Sequence, residues 1–238
     1  MRVSALQSVV LRYVIENGYR PGDQLPTIQE ISRELGVSVA KTREDLEVAR
    51  ALGALEIKPG RGTQVADYSF APAVTLSALY AIGLDNRNFE HLRHMRDAIE
   101  LSLWPEAVAT LTPEDITELR CLIEAAERQL EDAPAQMPAR EHRAFHLRIF
   151  SHLDNPFVYG FLEAFWDAYE ASGLHLHADL DYLRKVWDYH RRIVDAIEAG
   201  EVETSRRLLD EHMRLLNERK PVADGSQPTL EQRARMFE

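Results

Sequence analysis

Cysteine occurs once in 238 residues, so no disulfide framework can form within one chain. That residue, Cys121, falls among Leu119, Leu122 and Ile123 at helical spacing, which predicts a partly buried, inert thiol. Long apolar runs are also missing. The uncharged stretch Phe70 to Leu84 is too short to span a bilayer and holds Pro72, and no basic segment leads into an apolar one at the N-terminus. The chain therefore reads as soluble and cytoplasmic, with no membrane association.

Positive charge is in short supply. Lys and Arg number 28 against 39 Asp and Glu, a formal net charge of −11, which argues against diffuse nucleic-acid affinity. The deficit is uneven: residues 1 to 66 hold nine cations against eight acids, or +1, leaving −12 for the remainder. Any DNA binding must then come from a few placed cations near the N-terminus. With 45% hydrophobic and 28% charged residues, the composition is that of a packed protein, and the length suits two modest domains.

In the first segment, Ser4 to Asn17, Leu6, Val9, Val10, Tyr13 and Val14 recur at helical spacing before Gly18 stops the run. Arg20-Pro21-Gly22-Asp23 is a turn, and Thr27-Ile28-Gln29-Glu30 is a capping box that starts a second helix ending at Gly36. Ser38 is placed to cap a third helix running to about Leu52. Two short helices across a glycine turn make a helix-turn-helix. Residues 54–57 and 63–66 read as strands flanking Lys58-Pro59-Gly60-Arg61-Gly62, which is a β-wing.

From residue 87 onward the signals are helical, with six helices expected over about 88–108, 112–132, 138–152, 155–173, 179–199 and 201–219. The expected architecture is mostly α: a winged helix-turn-helix of three helices and a small wing (1–66), a linker (67–87) with a short helix near Leu76 to Ile82, an all-α helical bundle (88–220) and a mobile tail (221–238).

In a helix-turn-helix the second helix enters the major groove and its first residues reach base edges. Those are Ser38, Val39, Ala40 and Lys41. Thr42, Leu46 and Ala49 follow one helix face and pack inward, leaving Lys41, Arg43 and Arg50 on other faces, with Lys58, Gly60 and Arg61 on the wing. These segments, Pro21 to Pro26, Leu35 to Ser38, Thr42 to Leu46 and Gly60 to Thr63, resemble the GntR family of bacterial transcription regulators. The resemblance implies a homodimer reading a short palindromic double-stranded operator, most often as a repressor. Family members commonly have arginine after the capping serine; Val39 stands here, so the operator sequence does not carry over.

The C-terminal part concentrates histidine on inward faces. His142 and His146 lie four apart in line with Phe145, Ile149 and Leu153; His190 aligns with Val186, Ile193 and Ile197; His212 aligns with Leu208 and Leu215. Four inward imidazoles can surround a divalent transition metal, or each can be a core histidine bonded to a carbonyl or carboxylate. His91, His94, His152, His175 and His177 show no such pattern, although His175 or His177 could reach the cavity from a helix end. Arg96 interrupts the apolar stripe Phe89, Leu92, Ile99 and Leu103. Its buried guanidinium needs an anion, either Glu100 one turn on or the carboxylate of an effector.

Arg96 with Glu100, Phe145-His146, Asn155-Pro156, and His190 with Ile193, Ala196-Ile197 and His212 resemble the FCD effector domain of the FadR subfamily. The resemblance implies a small organic-acid or sugar-acid effector and a metal held by three histidines and an aspartate; His142 stands where that aspartate belongs. Loss of the carboxylate favours zinc or nickel over manganese. Two other functions compete. One is a metal sensor in which the ion is the signal. The other is a metal-dependent hydrolase with an accessory DNA-binding domain, which lacks the general base that His-Glu-x-x-His supplies.

Overall fold

A computed structural model describes residues 5–58, 60, 62–132, 137–172 and 179–218. Among these, ten helices and one two-stranded sheet follow the order expected of a winged helix-turn-helix joined to a helical domain. Arg61, His175 and His177 lie outside the described residues.

Helix α1 (Val9–Glu16) begins later than residue 4 because Ser8 is its cap, its side chain accepting from the Leu11 amide. Helix α2 (Ile28–Leu35) opens on the Thr27–Glu30 capping box and ends at Gly36, whose φ of +66° turns the chain toward Ser38. The Ser38 side chain accepts from Lys41 N at 3.1 Å to start α3 (Val39–Ala51). Strands β1 (Leu55–Lys58) and β2 (Gly62–Val65) pair antiparallel, Leu55 opposite Val65 and Lys58 opposite Gly62. Val10, Tyr13, Leu25, Ile31, Leu46, Ala49, Leu55 and Val65 close one small core.

The segment expected to hold a short helix instead forms α4 (Ala71–Leu84), with Pro72 in its first turn. Its extra length comes from packing on α8 and α5. Gly53, with φ +73°, sits where a Cβ would meet Pro72 Cγ and Ser69 O, both at 2.9 Å, so only glycine lets α3 abut the start of α4. Gly160 does the same for α8, its absent side chain leaving room for Phe70 and the Ala71 amide.

The helical domain continues with α5 (Arg87–Ala109), α6 (Pro113–Glu131), α7 (Ala139–Ile149), α8 (Pro156–Ala171), α9 (Leu180–Glu198) and α10 (Val202–Glu218). Thr112, Asn155 and Asp179 cap α6, α8 and α9 with side-chain acceptors, which is why those helices start where they do. Trp104, Phe145, Phe150, Phe165, Trp187 and Leu209 are among the side chains sealed in one large core. Cys121 departs from expectation: it is exposed, on the face of α6 opposite buried Leu119, Ile123 and Ala126. One hundred degrees of helical rotation per residue separates it from that stripe.

Candidate DNA interface and candidate metal centre

On α3, buried Thr42, Leu46 and Ala49 face the small core, while Lys41, Arg43 and Arg50 are exposed and Val39 is partly open at the helix start. The exposed cations are not equivalent. Lys41 Nζ lies 2.8 Å from Asp45 Oδ1, Arg50 pairs with Glu47 at 2.9 Å and Lys58 with Glu56 at 2.8 Å. Arg43 has no such carboxylate among the described residues. Asp45 is a residue that helical periodicity did not single out. It is buried, and its Oδ2 accepts from the Val9 amide at 2.6 Å, which ties the start of α1 to α3. Burial alone would raise its pKa, but Lys41 and the Val9 amide outweigh burial and hold the carboxyl below its usual range.

In the helical domain, α7 brings His142 and His146, α9 brings His190 and α10 brings His212 to one place. One ring nitrogen from each lies within 4.8 Å of the others. Ring centroids are 4.5 Å apart for His190 and His212, 4.9 Å for His142 and His190, and 5.2 Å for His142 and His146. His146, His190 and His212 are buried, and His142 is the one that keeps some exposure.

His142 Nε2, His212 Nδ1 and both nitrogens of His190 are sealed from solvent with no hydrogen-bond partner among the described residues. Unpaired buried nitrogens each cost about 1–3 kcal/mol, so four of them on three adjacent histidines fit a metal-ligand set better than three independent core histidines. Burial first, then Arg96 and, for His142, His190 and His212, the neighbouring imidazoles, push all four pKa values well below 6.5. Neutral imidazoles with free lone pairs are what a transition metal binds. The donor set therefore fits a late divalent metal.

Beside this cluster α5 contributes Arg96 and Glu100. Arg96 Nε donates to Glu100 Oε1 at 2.6 Å. Glu100 Oε2 also lies 3.0 Å from His146 Nδ1, where it can accept that ring's N–H. Arg96 Nη2 lies 3.0 Å from the same Nδ1 and also near Nε2, so Glu100 and Arg96 together hold the ring, as a carboxylate partner orients a metal-ligating histidine. Arg96 Nη2 stands 3.3 Å from that Nε2, and the guanidinium lies over the rings of Phe165 and Trp166 at 5.2 and 5.5 Å. Burial raises the Glu100 pKa, opposed by Arg96. Trp166 and Trp187, which sequence periodicity did not single out, pack on His142 and His190 with centroids at 4.8 and 4.7 Å. His152 belongs elsewhere: it bonds Asp115 at 2.9 Å, at the start of α6.

Fold and sites together define a two-domain transcription regulator, with a winged DNA-reading module followed by a helical effector-type domain. Residues 9–65 match the bacterial regulatory proteins of the gntR family and residues 91–215 match the FCD domain. The chain belongs to this family. It is 26% identical over 211 residues to the Uxu operon transcriptional regulator of Escherichia coli, covering 87% of this chain and 81% of that one. To the regulator LutR of Bacillus subtilis it is 25% identical, covering 79% and 87%. Two solved structures share the fold. A GntR protein of Streptococcus agalactiae has a TM-score of 0.59 at 19% identity over 91% of this chain and 99% of its own. McbR/YncC of E. coli gives 0.51 at 22% over 92% and 99%. The chain is a DNA-binding transcription regulator and not an enzyme, and no described helix is long and apolar enough to cross a membrane.

Proposed function

We propose that the protein is a homodimeric repressor, acting in the cytoplasm, whose grip on a palindromic operator is set by a small carboxylate or sugar acid bound in the helical domain beside a divalent metal. The observation that carries the metal part is the group of four unpartnered, buried nitrogens on His142, His190 and His212, with His146 oriented by Glu100. Zinc or nickel suits an all-imidazole set. Such an ion, when bound, supplies a Lewis-acidic position with no carboxylate ligand to offset its charge, which attracts an anion.

The protein's own side chains do the rest. Arg96 lies beside the rings of Phe165 and Trp166 with its Nε on Glu100 and its Nη2 at His146, and a bidentate hold on an effector carboxylate would take the place of these contacts. On the DNA side, Ser38, Val39, Ala40, Lys41 and Arg43 lead the reading helix, and Arg50, Lys58, Gly60 and Arg61 steady it against the backbone. A ligand can shift operator affinity only by binding one dimer arrangement more tightly than the other. Fluorescence anisotropy of a labelled duplex from the protein's own promoter region tests this, run with and without a panel of organic acids. Operator affinity that no acid changes would overturn the carboxylate reading. A His146→Ala variant that still responds to acid would exclude the ion as the signal.

A further inference from the structure

Gly160, Glu163 and Asp167 follow one another at i, i+3 and i+7 on a single face of α8, and each meets the segment that carries the DNA-reading module. At Gly160 the linker comes so near that a Cβ would lie 2.8 Å from both the Ala71 amide nitrogen and Phe70 Cβ. Glu163 accepts a hydrogen bond from the Ser69 hydroxyl, whose oxygen in turn accepts from the Ala71 amide at 3.1 Å. Asp167 Oδ2 accepts from Thr75 Oγ1 at 3.2 Å, one turn into α4.

The same two acidic residues are tied to α7. Arg143 Nη1 donates to Asp167 Oδ1 at 2.5 Å and reaches the Glu163 carbonyl oxygen at 3.4 Å. Arg143 directly follows His142, so this guanidinium springs from the helix that brings two imidazoles to the cluster. At the other end, Ser69 O and Pro72 Cγ are the atoms against which Gly53 seats the end of α3. Contacts therefore run without a break from the histidine helix to the reading helix.

The side chains of Arg143 and Asp167 are 30% and 40% exposed, and an ion pair so placed adds little stability. What these bonds supply is orientation. Gly160 by itself is a pivot, while hydrogen bonds at Ser69 and Thr75, on either side of Ala71, stop α4 from turning about it.

We infer that Glu163 and Asp167 form a clasp that fixes the angle at which the DNA-reading module is mounted on the helical domain, and that Arg143 links this clasp to the histidine cluster. The link rests on the metal reading above; the clasp does not. An ion that favours one position of α7 thereby favours one mounting angle.

Distances between paired spin labels in the full chain test both parts. Cys121, exposed on α6, takes one label and Gln29→Cys, at an exposed position of α2, takes the other; an excess of unlabelled chain keeps the reading within one molecule. The metal-free parent should give one narrow distance. Glu163→Ala/Asp167→Ala and, from the linker side, Ser69→Ala/Thr75→Val should lose that single peak while keeping the parent's helical circular dichroism. A folded variant of either pair with a peak as narrow as the parent's overturns the clasp, as does a parent distribution that is already broad. Zinc alone should shift the parent's peak, and Arg143→Gln should abolish the shift while competition with a chelator shows zinc still bound. Bound zinc that leaves the parent's peak in place, or shifts it equally in Arg143→Gln, overturns the link. If zinc does not bind the parent, the metal reading and the link fall together, and the two double variants still decide the clasp.

Discussion

Arg96 and Glu100, one turn apart on α5, form a 2.6 Å ion pair whose side chains are 2% and 0% exposed. Asp97 adds a weaker contact to the same guanidinium at 3.4 Å. Such a pair is strongly destabilised by losing one member, because the survivor is left charged in a low-dielectric site. Glu100→Ala is expected to cost about 3 kcal/mol in urea unfolding, and Arg96→Met/Glu100→Leu much less. The double variant should nevertheless lose acid response in the operator assay. A double variant that kept both stability and response would show that the pair has no part in effector binding.

The four histidines predict a pH dependence with a definite sign. In the folded, metal-free protein each is held neutral well below 6.5, by burial first and then by crowding against the other imidazoles or Arg96. The unfolded chain takes up those protons near pH 6.5, so it binds more protons than the folded state as pH falls below that value. Stability is fully present above about 6.5 and declines below it, by up to roughly 1.4 kcal/mol per pH unit for each histidine. Urea midpoints measured with chelator from pH 5 to 8 should rise and then level off. Adding zinc or nickel at plateau pH should raise the midpoint, corresponding to about 2.7 kcal/mol of unfolding free energy at a hundred times the dissociation constant. His190→Ala should abolish that increment.

Much of this arrangement was readable in the chain itself, and the unreadable part has a physical reason. Periodicity turned His142, His146, His190 and His212 inward because each shares a stripe with core residues such as Phe145, Ile193 and Leu208. Capping chemistry at Thr27 and Ser38 located two helix starts. What periodicity could not supply is how faces on α5, α7, α9 and α10 meet, and so neither the bond from Glu100 to His146 nor the role of Trp166 was legible. A tryptophan looks the same in the sequence whether it fills a core or packs on a histidine cluster. Asp45 escaped for a related reason: an acid beside a leucine on a DNA-reading helix looks exposed until α1 is seen to supply its amide donor. The length of α4 was hidden because its residues gain their helical stability from α8 rather than from local caps.

Arg43 and Lys41 should contribute differently to DNA binding. Lys41 is engaged by Asp45, whereas Arg43 is exposed with no carboxylate partner among the described residues. A free guanidinium reaches phosphate without first giving up an ion pair. Arg43→Ala should therefore weaken operator binding more than Lys41→Ala does. It should also lower the slope of log affinity against log salt by about 0.9, the release of one counterion. Val39→Arg should change which operator variants bind best, since that position begins the reading helix. Anisotropy titrations over a range of salt concentrations and a small library of duplexes would resolve these effects. Equal losses for the two alanine variants would mean that the Lys41–Asp45 contact dissolves on DNA.

The face of α4 that does not pack on α8 or α5 supports the homodimer reading. Over Ala71–Leu84 the helix has no charged residue, yet Leu76, Tyr80 and Leu84 are 61%, 70% and 71% exposed. A helix apolar on all sides is normally covered, and contiguous apolar surface beyond a few hundred Å² marks an association site. Beside these side chains runs a groove of about 510 Å³ lined by Ala73, Val74, Ala78, Ala81 and Met95, among others. Protruding residues next to an apolar groove on one surface are what a twofold contact requires, each copy filling the other. Because Gly53 seats α3 against the start of α4, a contact here would also fix the spacing of the two reading helices. Sedimentation equilibrium should give a dimer for the parent chain and a monomer for Leu76→Glu/Tyr80→Glu. The monomer should retain its helical circular dichroism and lose at least about tenfold in operator affinity, as one half-site is given up. A double variant that sediments as a dimer would assign the contact to another face.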